Sequence, residues 1–221
     1  MRATILGLTV AGMCGLMATA SAQTTPPAAM PPAAAPATPP PAAAPSSRIR
    51  GTIAKVGPHS MTVTTREGTT VEIALADALT VTTVKRVPLS SIGNNTYVGI
   101  ASRKDAKGEV QALEVLVFPE AMRGAGAGNY AWDLQPGSMM TNAPVTGVAT
   151  QKAGRELTLT YKDGSVTIHV PLRTPVVTFV PADRADLKPG RKVFFSAVKG
   201  ADGSLSASRV IVGTHGVNPP M

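Results

Sequence analysis

A single cysteine, Cys14, in 221 residues excludes a disulfide framework and any cysteine-rich metal site. Histidine is almost as scarce, with three, and aromatic residues make up only 4% of the chain. No apolar run reaches the ~18–20 residues of a membrane-spanning helix, which excludes a polytopic membrane protein. Charged residues account for 15%, and the 43% that count as hydrophobic are mainly Ala and Val rather than large side chains. No nucleophile elbow, His-Glu-x-x-His helix or phosphate loop is present. Thirteen acids and three histidines are a poor stock for catalysis, so the sequence points away from an enzyme, and no cofactor is expected.

What is present begins with an export pattern. Arg2 precedes a short apolar stretch, Ala3 to Met17, and Ala20-Ser21-Ala22 forms an A-x-A site before Gln23. This predicts a signal peptide over 1–22, cleaved after Ala22, and a periplasmic or secreted chain. Met13 before Cys14 disfavours a lipoprotein signal. Residues 23–47 hold nine Pro and no charge, so a disordered Pro/Ala-rich linker with extended polyproline II character is expected there.

The remainder divides into two matching copies. Ile49-Arg50-Gly51-Thr52 matches Val145-Thr146-Gly147-Val148, and Met61 to Gly68 matches Leu157 to Gly164, at an offset of 96 residues. After a one-residue slip, Val71, Ile73 and Leu75 pair with Val166, Ile168 and Val170, and Ile92 with Leu187. The expected organisation is one repeat over 48–118, a connector over 119–143, a second repeat over 144–214 and a tail over 215–221.

Each copy alternates Val, Ile and Thr with a period of two between turn signals, which reads as short β-strands. Strands are expected near 48–56, 60–66, 69–75, 79–86, 96–103 and 110–118, and near 144–152, 156–162, 165–170, 174–180, 191–199 and 204–213. Glu67-Gly68 and Asp163-Gly164 read as hairpin turns, and Asp183 to Leu187 as a single helical turn. The predicted fold is all-β: two tandem small OB-like or SH3-like barrels. Four segments, Arg50-Gly51-Thr52-Ile53, Val117 to Gly124, Trp132-Asp133-Leu134 and Met140 to Ala143, resemble a family of secreted bacterial proteins of unknown function built from repeated OB-like domains. Some relatives of that kind are labelled metal-transporter permeases, a function that needs several membrane spans. The resemblance implies a fold and little about activity.

The connector is the strongest functional pointer. It is longer than an ordinary loop and holds the only tryptophan, Trp132, beside Tyr130 and Asp133. These three residues are the candidate binding site, where the connector crosses both barrels. The competing reading is that Tyr130, Trp132 and Leu134 staple the barrels together. A second hypothesis is copper handling, with thioether and imidazole ligands from Met139, Met140 and His169. Met61 is assigned to the core, because its counterpart is Leu157. The formal charge of +8 divides over both repeats rather than forming one basic block. The expected partner is therefore an envelope protein or anionic polymer, not nucleic acid, whose single strands need aromatic platforms in a basic groove.

Overall fold

The computed structural model describes residues 46–219, which belong to one compact unit. The expected signal peptide over 1–22 and all but the last two residues of the expected 23–47 linker lie outside the described residues. Ser46 and Ser47 belong to the first strand.

The chain is all-β. Twelve strands run in order: β1 (Ser46–Val56), β2 (Ser60–Thr65), β3 (Thr70–Arg86), β4 (Tyr97–Lys104), β5 (Val110–Val117), β6 (Gly128–Ala131), β7 (Met139–Gln151), β8 (Gly154–Tyr161), β9 (Gly164–Pro171), β10 (Val176–Pro181), β11 (Lys192–Lys199) and β12 (Leu205–Val212). Short 3-10 turns lie at Leu89–Ser91, Glu120–Met122 and Arg184–Asp186, the last inside the expected helical turn. Among the described residues no helix is long and apolar enough to cross a membrane.

The pairing corrects the expectation that each sequence copy closes on itself. One closed five-stranded barrel consists of β1, β2 and β3 from the first half with β11 and β12 from the second. β1 pairs with β2 and β11, and β3 pairs with β2 and, in parallel, with β12. Five of the remaining seven strands reverse the contribution: β7, β8 and β9 from the second half with β4 and β5 from the first. That ring is joined by the pair Gln111↔His169 between β5 and β9. Two passages connect the rings. The end of β3 pairs antiparallel with β10, from Thr82↔Pro181 to Arg86↔Val177, and β10 pairs in parallel with β5.

Two cores follow from this exchange. Ile49, Ile53, Met61, Val63 and Ile73 pack with Leu187, Val193, Phe195, Val210 and Val212 in the first. Ile92, Val98, Ile100 and Val115 pack with Val145, Leu157, Leu159, Ile168 and Val170 in the second. The hydrophobic drive, about 1.5–3 kcal/mol for each large side chain buried, therefore couples residues far apart in sequence. Met61 and Leu157 are both fully buried, one in each core.

Three local features differ from the sequence reading. The break expected between 75 and 79 is an irregularity inside one strand, since Leu75 faces Ala207 and Thr80 faces Arg209. The second hairpin turns on Lys162-Asp163, with Gly164 already paired to Tyr161. The connector is not a plain loop: β6 pairs with the start of β7, from Gly128↔Asn142 to Ala131↔Met139.

Candidate functional site

Period-two alternation that sends one set of side chains into a core sends their neighbours outward. Val98, Ile100 and Val115 enter the second core, which turns Gly99, Ala101, Glu114 and Leu116 away from it. Phe195, Val210 and Val212 enter the first core, which turns Phe194 and Ile211 the other way. These outward sets meet, with Phe118, Phe179 and the β6–β7 hairpin, around a pocket of about 160 Å³. Phe118, Phe179, Phe194, Tyr130 and Trp132 all line it, five of the eight aromatic side chains in the protein. A chain poor in aromatics has placed most of them at one spot.

The aromatics form two groups. Phe118 lies 5.4 Å from Tyr97 and 6.1 Å from Phe179, centroid to centroid. Trp132 stands edge-on to both Tyr130 and Phe194, each at 6.2 Å. Such tilted pairs suit the quadrupoles of the rings and add about 0.5–1.5 kcal/mol beyond area burial. Space between the groups depends on small residues on β4. A Cβ on Gly99 would stand 2.5 Å from Asn142 Oδ1 and 3.0 Å from Phe118 Cε2.

Asn142 is buried, and Tyr130 is half-buried beside it. The Asn142 amide donates through Nδ2 to the Gly126 carbonyl at 3.0 Å and to the Tyr130 hydroxyl at 3.1 Å. Those bonds fix which amide atom is oxygen, and Oδ1 is left buried with no hydrogen-bond partner among the described residues. Burial pushes the Tyr130 phenol above its ordinary pKa, against a weaker opposing pull from Arg48, so the hydroxyl is neutral at physiological pH.

Beside the pocket, arginines on β1 hold the connector. The Arg48 guanidinium carbon lies 4.3 Å from the Trp132 ring centroid; that of Arg50 lies 5.2 Å from Trp132 and 4.7 Å from Phe194. The Arg50 side chain is only 3% exposed, and its Nη1 donates to Asp133 Oδ2 at 2.5 Å. Arg66, just after β2, donates to the Asp133 and Leu134 carbonyls at 2.6 and 3.1 Å. Burial pushes the Asp133 carboxyl up, but the Arg50 hydrogen bond and the charges of Arg50 and Arg48 outweigh it and hold the carboxyl below its ordinary value. Asp133 is thus an anion that clasps the hairpin to β1.

No family model, no curated protein and no solved structure matches this chain. The site is therefore read from its own chemistry.

Of the candidate binding residues, Tyr130 and Trp132 line the pocket, while Asp133 lies outside its lining and pairs with Arg50 and Arg48. The candidate metal ligands are not brought together. Met139 and Met140 are successive residues of β7 and point to opposite faces: Met140 lines the aromatic pocket, and Met139 a separate depression with Ser102 and Val166. His169 lines a third, with Gln111 and Glu156. Among the described residues no group of three or more His, Cys, Asp or Glu is placed to hold a metal ion. Sequence reasoning missed Phe118, Phe179, Phe194, Glu114 and Asn142. The adjacent pair Phe194-Phe195 carried a signal, since alternation forces one of the two outward, but it did not say what that ring would face.

Proposed function

We propose that this is a non-enzymatic envelope protein that works by binding, with the aromatic pocket between the two rings as its ligand site. The observation that carries the reading is the convergence of five aromatics, drawn from the two rings, the passage between them and the connector, on one pocket of about 160 Å³. An apolar cavity of about 150 Å³ admits a benzene-sized molecule, so the occupant is a compact organic group. The envelope location rests on the export pattern at the N-terminus and on the resemblance to secreted OB-like proteins. The arginine clasp and the pocket divide the work of the connector: Asp133 fastens it, and Tyr130 and Trp132 face the ligand.

Trp132 is the only tryptophan, so its emission reports on the pocket directly. Titration with ring-sized compounds, neutral and charged, is expected to give a saturable change in that emission. Ala101→Leu, which builds bulk into the lining, is expected to weaken binding at least tenfold without loss of the cooperative melt. A panel that leaves the emission unchanged in the native protein would overturn the reading.

A further inference from the structure

Asn142 brings an unmet hydrogen bond to the pocket. The residue is 6% exposed, it lines the pocket, and its Oδ1 is buried with no hydrogen-bond partner among the described residues. Its register partner on β4 is Gly99, also in the lining, and a Cβ on Gly99 would stand 2.5 Å from Oδ1. The oxygen thus faces the outward side of β4 at a position that carries no side chain. The other polar side chains of the lining are Tyr130, Trp132 and Glu114. The Tyr130 hydroxyl accepts a proton from Asn142 Nδ2, and Trp132 and Glu114 each have a partner within the protein. A buried water needs roughly two to four polar partners, more than one oxygen among apolar walls supplies. Buried polar groups are nearly always paired, so an orphan acceptor on a pocket wall marks where a ligand's donor fits.

The geometry points to a neutral ring carrying one O–H or N–H donor, of the phenol or pyrrole type, with Asn142 Oδ1 as its acceptor. This rests on the binding-site reading above and names the ligand class for it. The aromatic walls and the volume of about 160 Å³ accommodate the ring. Its neutrality follows from the lining. No lysine, arginine or histidine is there to meet an anion, and the one carboxylate, on Glu114, is already engaged. Transfer out of water favours a methyl group over a hydroxyl, so only a hydrogen bond inside the pocket can reverse that order. A free phenol and a tyrosine side chain on a partner share this chemistry.

The test compares phenol with toluene and anisole, by calorimetry and by Trp132 emission on the full chain. Both analogues keep the ring and replace the donor, one by a methyl and one by a methoxy group. Phenol is expected to bind at least about tenfold more tightly than either. N-acetyltyrosinamide in parallel distinguishes the sources: its binding supports a tyrosine on a partner chain, and binding of phenol alone supports a free small molecule. Asn142→Leu, which keeps the bulk and removes the acceptor, is expected to lower phenol affinity about tenfold and leave toluene unchanged. Toluene or anisole binding as tightly as phenol would overturn the donor assignment and leave the binding pocket standing. Unchanged phenol affinity in a folded Asn142→Leu would do the same. Silence of all these probes overturns the assignment too, and if the other ring compounds are also silent the pocket reading falls with it. The comparison of isosteres needs only the native protein, so a failure of Asn142→Leu to fold would not shelter the proposal.

Discussion

Residues 46–118 expressed alone are expected to remain unfolded, with no cooperative thermal transition by circular dichroism. That segment is one complete copy of the sequence pattern, together with the two residues before it, yet it holds no complete ring. It would keep β1, β2 and β3 but lose β11 and β12, which pair with β1 and β3 and close the first ring. Leu187, Val193, Phe195, Ala197, Val210 and Val212 would leave the first core. The second core would keep only what β4, β5 and the turn before them supply, without Val145, Leu157, Leu159, Ile168 and Val170. Each of these large side chains contributes about 1.5–3 kcal/mol on burial. The sum exceeds the roughly 5–15 kcal/mol by which a whole domain is stable. Mixing the segment with residues 119–219 is expected to restore the fold. A sharp melt of 46–118 by itself would contradict the exchange.

Gly51→Ala is expected to cost about 3 kcal/mol, a fall of about 6–12 °C in Tm for a unit of this size. Gly51 lies on β1 between two partners, Thr65 of β2 and Val193 of β11. A Cβ there would stand 2.3 Å from the Thr64 carbonyl oxygen and 2.6 Å from Val63 Cγ1. The first obstacle is backbone in a paired strand, so relief requires β2 to move away from β1 and open the barrel wall. Arg50 is the preceding residue, so the same shift would pull at its bond to Asp133. Gly147 of β7 provides the control. Its added Cβ would meet only the Thr158 side chain, at 3.3 Å, and Gly147→Ala is expected to cost less than about 1 kcal/mol. Differential scanning calorimetry of both variants checks the contrast. Equal melts would mean that the β1–β2 contact is looser than described.

The contrast between these glycines bears on what could be read in advance. In the matched segments Gly51 and Gly147 look equivalent, but only the structure shows what lies opposite each one. Alternation of Val, Ile and Thr located nearly every strand, because a half-buried strand imposes its period on the residues directly. The same alternation assigned Met61 to a core through its match with Leu157. Strand partners were not legible for the same reason that the match was strong. Two copies with one pattern offer equivalent edges, so β1 suits β4 as well as β11 by composition alone. What decides is the path after β3, where Thr82–Arg86 pairs with β10 and carries the chain into the other ring.

The site was legible only in part. Trp132 and Tyr130 stood out because a connector has no packing need for rare aromatics. Phe118, Phe179 and Phe194 did not, because they lie in or beside strands where an aromatic residue needs no special account. The copper reading gains no support from the geometry on a simple point: consecutive β7 residues, Met140 and Met139, line different depressions.

The central claim is that strands of the two sequence halves close each other's rings, and it is tested most directly by a cross-link between β1 and β11. Thr52 and Lys192 are register partners on those strands. The only native cysteine, Cys14, is not among the described residues, and peptide mapping separates it from a designed pair at 52 and 192. In Thr52→Cys/Lys192→Cys, mild oxidation is expected to give a disulfide, read by mass spectrometry as one peptide joining positions 52 and 192, with the native spectrum retained. Two free thiols in a protein that keeps its fold would contradict the exchange and with it the pocket built between the rings.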